Sequence, residues 1–115
     1  MLPLAEFELL VENALRCIPW SFRRLMKNVA IVVEQEPPRP GLLGLYQGRP
    51  LASRSVFEGF TMPDKITIFQ GPHERLSRTR AELEQMVADT VWHEIAHHFG
   101  MDEARVRRAE RQRRS

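Results

Sequence analysis

The stretch "TVWHEIAHHFGMDE", Thr90–Glu103, gathers three of the chain's four histidines and three acidic residues into fourteen positions. His93, Glu94 and His97 match H-E-x-x-H. On a helix, residues four apart lie one above the other, so both imidazoles face one point about a turn apart. Neutral imidazole nitrogen suits zinc, and two such ligands plus a third leave one coordination position for water. Glu94 follows His93 by about 100° around the helix, beside that point, where a carboxylate can act as a base. Gly100 can end the helix in a left-handed conformation and turn the chain back. Glu103, three residues on, can then supply a third ligand. Roughly one chain in seventy of this composition would show the five-residue motif by chance. Requiring the glycine and the acidic residue as well lowers that to about one in ten thousand, so the extended form is specific.

Reading outward, Thr79 and Glu82 have capping-box spacing, and no glycine or proline follows until Gly100. The spacing predicts one long helix carrying the motif, with Leu83, Val87, Val91, Trp92 and Ile95 as core candidates. Asp102 can cap a last helix. Upstream, "VAIVVE" (Val29–Glu34) and "KITIFQ" (Lys65–Gln70) are rich in β-branched residues and read as strands. "LLGLYQG" reads as a short strand or a structured turn, and residues 49–64 as a long loop. Residues 4–17 have an apolar stripe at Phe7, Leu10, Val11, Ala14 and Leu15 that stops before Pro19, which predicts an amphipathic helix. "WSFRRLMKN" adds a turn of helix. The order helix, strands, helix, helix points to an α+β fold: helices on a small mixed sheet.

A length of 115 residues fits one domain, residues 1–115, with one modest core. The composition, 43% hydrophobic and 28% charged, is that of a soluble protein, and no apolar run is long enough to span a bilayer. The N-terminus lacks a basic n-region, and Glu6, Glu8 and Glu12 interrupt its apolar residues, so a cytoplasmic location is expected. The net charge of +2 is uneven. Residues 105–115 set six arginines against Glu110, a balance of +5, which leaves −3 for the first 104 residues. No aromatic residue interleaves with these arginines, which argues against nucleic-acid binding. The single cysteine, Cys17, excludes an internal disulfide and is expected to be a small buried apolar residue.

"HEIAHHFGMDE" resembles the H-E-x-x-H-x-x-G-x-x-D pattern of the small bacterial zincin-like metallopeptidase family. "VVEQEPP", "LLGLYQGRPL" and "MPDKITIFQGP" occur in the order that the family shows, so the resemblance extends over roughly residues 5–110. It implies a minimal zincin fold with one zinc per chain, held by His93 and His97, with Glu94 as general base. The third-ligand position falls on Glu103. The family usually has Asp there; here Glu103 follows Asp102, either carboxylate is within reach, and the spacing favours Glu103. By the same analogy, the edge strand above the motif helix, which pairs with an extended substrate, is expected to be "KITIFQ".

The resemblance thus implies a zinc-dependent metallopeptidase acting on a peptide or protein substrate. The competing reading is a non-catalytic scaffold that binds a protein partner. The chain ends soon after Glu103, so a partner or a second copy of the chain is expected to complete the cleft. Among the other residues, His98 is expected to support the site or face solvent, and His73, in "GPHER", to be a surface loop histidine. Tyr46 and Arg54 are candidates for binding an oxyanion.

Overall fold

The computed structural model describes residues 2–26, 28–48, 64–100 and 108. Its elements are α1 (Leu4–Arg16), α2 (Trp20–Arg23), β1 (Val29–Glu34), β2 (Gly44–Gln47), β3 (Asp64–Phe69), α3 (Gln70–Leu76) and α4 (Arg80–His98). The three strands form one mixed sheet in the order β1–β3–β2. β1 runs parallel to β3, with Ile31 opposite Ile66, and β2 runs antiparallel, with Tyr46 opposite Ile66. The expected α+β architecture is therefore present: a small mixed sheet packed against helices.

β3 is the central strand, and this corrects the expectation that it forms the edge. All its residues except Lys65 are buried, as befits a strand hydrogen-bonded on both sides. The edge beside the motif helix is β2, the stretch whose flanking glycines left its form open. "GPHER" also differs from its expected loop, since it lies within α3. Pro72 sits in the first turn of α3, where a missing N–H leaves no helical bond unmade.

α1 buries Phe7, Leu10, Val11 and Ala14, the stripe read from its spacing, against α4. α4 contributes Leu83, Val87, Val91, Trp92, Ile95 and Ala96 to the same core, and β3 contributes Ile66 and Ile68. The second half of α4 is buried on most sides because α1 packs on one flank and the sheet on the other. Its start follows the capping prediction: Thr79 Oγ1 accepts from the Glu82 N–H at 3.1 Å. The reciprocal bond is shifted by one residue, with Glu82 Oε1 accepting from the Arg78 N–H. At the other end Phe22, half-buried, meets Trp92 and Phe99 edge-on, with 5.4 Å between centroids in each pair. Gly100 follows with a φ of +77°, the left-handed conformation expected of a helix-ending glycine. Cys17 is exposed, contrary to expectation, at the C-cap just past the end of α1. No helix of the described residues is long and apolar enough to cross a membrane.

Candidate metal centre

The last two turns of α4 bring His93, Glu94 and His97 together. One donor atom from each lies within 4.8 Å of the others, a grouping that could hold a metal ion. The two imidazole rings are 4.6 Å apart between centroids. His97 Nδ1 lies 3.2 Å from Glu94 Oε1. The histidines are half-buried, whereas Glu94 is only 6% exposed. A carboxylate placed so deep is costly unless a cation or hydrogen bonds compensate it. The two imidazoles suit a borderline cation such as zinc, so these donors fit the metal that the motif implies, with the Glu94 carboxylate beside them. Glu103 and Asp102 lie outside the described residues, as does Arg54.

The depth of Glu94 follows from the close approach of β2. A Cβ on Gly44 would lie 2.8 Å from Thr90 Cγ2 and 3.0 Å from Glu94 Cγ. Glycine lets the strand backbone sit directly on the motif helix, and nothing in the one-dimensional pattern singled it out. Between segment 41–44 and the Asp89–Glu94 turn of α4 runs a groove of about 360 Å³ that includes His93 and Glu94.

Two buried histidines brace this arrangement. His98 is fully buried, and its Nδ1 lies 2.8 Å from Asp64 Oδ2. The Tyr46 hydroxyl donates to the same oxygen at 2.6 Å. Tyr46 is thus engaged with Asp64, which fastens β2 and the start of β3 to the end of α4. This corrects its candidacy for an oxyanion and gives His98 a supporting position. His73 is also fully buried, contrary to its expected surface position. Its Nδ1 lies 2.7 Å from the Phe69 carbonyl oxygen and its Nε2 2.8 Å from Thr90 Oγ1. A carbonyl can only accept, so Nδ1 carries the proton. In the neutral ring Nε2 then accepts from the Thr90 hydroxyl. Burial holds the His73 pKa below its ordinary value, against the opposing effect of the Phe69 bond. These contacts tie β3 and α3 to the turn of α4 that carries the motif. Pro72, read as a strand-ending breaker, is also compatible with a helix's first turn and could have pointed to α3; the burial of His73 had no local signal.

The comparison with curated proteins returned no match. The zincin-like metallopeptidase family matches residues 26–113, so α1 precedes the matched stretch although its side chains share the core. With most of its length, the mixed sheet and the motif helix included, inside that match, the chain belongs to the zincin-like metallopeptidase family.

Proposed function

We propose that this single domain is a zinc-dependent peptidase in which His93 and His97 hold the ion, Glu103 is the third ligand and Glu94 is the general base. The observation that carries this reading is the His93–Glu94–His97 cluster lying directly beneath the edge strand β2. When bound, zinc supplies Lewis acidity, which polarises a carbonyl and makes water more acidic. The protein's own groups do the rest. Glu94 takes the proton that the attacking water gives up and passes it to the amine of the departing segment. Its burial keeps bulk water from competing for that proton. β2 pairs with β3 along one side, and among the described residues no strand covers the other. That side offers backbone donors and acceptors to an extended peptide. Gly44 brings the peptide within reach of Glu94.

The test joins metal content to turnover. Chelator-stripped protein should take up one zinc per chain, and His97→Ala should abolish the uptake. Glu94→Gln should keep the zinc and lose hydrolysis of a peptide library by about a hundredfold or more. A Glu94→Gln protein that cleaves as fast as wild type would remove Glu94 from the chemistry. Stoichiometric zinc without hydrolysis by wild type would favour the partner-binding scaffold instead.

A further inference from the structure

A second hollow, of about 590 Å³, opens beside the groove at the metal cluster. The two share Gly41 and Leu43 as lining residues. A Cβ on Gly41 would meet nothing within 4 Å, so the passage between them is open at that residue. The walls are the loop from β1 to β2 and the side of α3, which present Pro37, Pro38, Pro40, Leu43, Pro72 and Leu76. Hydrogen bonds hold these walls in place. The Gly71 N–H donates to the Gln35 carbonyl at 2.8 Å, and the Phe69 N–H to the Leu43 carbonyl at 3.0 Å. Arg75 donates twice to Glu36, at 2.8 Å in each bond. Proline rings held this way need little further ordering when a ligand enters. Leu76 is left 64% exposed, and a seated apolar group would cover it.

The charges on the rim indicate the ligand. Glu36 and Arg75 satisfy each other, whereas Arg39 is exposed and forms no ion pair among the described residues. An apolar lining beside a free guanidinium complements a large apolar side chain with a carboxylate next to it. We propose that this hollow is a distal subsite of the peptide groove: it takes a large apolar side chain, and Arg39 receives the adjacent carboxylate. From Gly44, beside Glu94, back to Gly41 the chain spans at most about 11 Å. An extended peptide covers that length in about three residues. The selected residue therefore lies about three or four positions from the carbonyl that reacts, and not beside it. The inference rests on the peptidase reading for the place of the scissile bond, but binding alone tests the subsite.

The experiment titrates zinc-loaded Glu94→Gln protein with short peptides of equal length, each labelled at its amino terminus. A phenylalanine–glutamate pair is walked through a background of alanine and serine. At one position the pair should bind about tenfold tighter than alanine–glutamine. Leu76→Ser should remove the share due to phenylalanine. Arg39→Gln should remove the share due to the carboxylate, about threefold and eroded by added salt. Zinc stoichiometry and melting temperature should hold in both variants, since both side chains are exposed. A carboxylate share kept by carboxyl-amidated peptides supports Arg39 as a reader of acidic side chains. One confined to free carboxyl termini supports it as a reader of the chain end, and one that survives Arg39→Gln overturns its part. A phenylalanine preference that survives Leu76→Ser overturns the subsite, as does an array with no preference or no binding. The products of wild-type hydrolysis then locate the preferred residue, and a position directly beside the scissile bond also overturns the subsite. Preference lost in Leu76→Ser, with no cleavage by wild type, defeats the peptidase reading and spares the subsite; cleavage indifferent to the pair does the reverse.

Discussion

Gly44 carries more of the site than its size suggests. Any side chain there meets Thr90 and Glu94 on α4, so the strand must lift or Glu94 must move. Gly44→Ala is expected to cost about 1–3 kcal/mol, the range of an overpacked contact, measured by urea denaturation of zinc-free protein. Its hydrolysis should fall further than that of a variant equally destabilised elsewhere, because the displaced group is the proposed base. An unchanged denaturation midpoint would show that β2 does not press on α4. The identities of His93, Glu94 and His97 were legible because helical spacing is local: one turn of backbone sets which side chains share a face. Gly44 and Asp64 were not, because their partners lie far along the chain and are met only after the sheet forms.

At the scale of elements, α1 tests where the folding unit ends. It precedes the family match, yet Phe7 is fully buried in the core and its ring lies 5.9 Å from that of His73. Phe7→Ala should therefore destabilise the whole fold, by about 3–5 kcal/mol as for other large core aromatics, read from the shift of a single unfolding transition. A loss confined to local fraying of α1 would mean that the helix is an appendage. The helix periods and the β-branched runs marked α1, α4, β1 and β3 almost to the residue. The order of the strands was not readable. Strand composition reports burial rather than neighbours, so the central position of β3 was mistaken for an edge. Likewise "GPHER" looked like a loop because Gly71 and Pro72 usually break structure, whereas here they open a helix.

For the whole molecule, the buried His73 predicts how stability responds to acid. Its folded pKa is depressed, so the unfolded chain binds the extra proton first as pH falls. Its contribution is complete above the unfolded value of about 6.5 and declines as pH drops below it toward the folded value. Protonation would also give Nε2 a proton and end its acceptance from Thr90. Melting temperatures of zinc-free protein from neutral to mildly acidic pH should fall for wild type, and His73→Gln should fall less steeply. Parallel curves would remove His73 as the source. By itself, the sequence determined the motif helix, its caps, the apolar faces that drive collapse and the family, because each depends on spacing within a few turns or strands. Only the tertiary structure decided that β2 is the edge, that Gly44 seats it on Glu94, and that His73 and His98 lie inside. Those outcomes depend on which surfaces meet when distant segments pack, and a buried polar side chain is tolerated only where that packing supplies its hydrogen-bond partner.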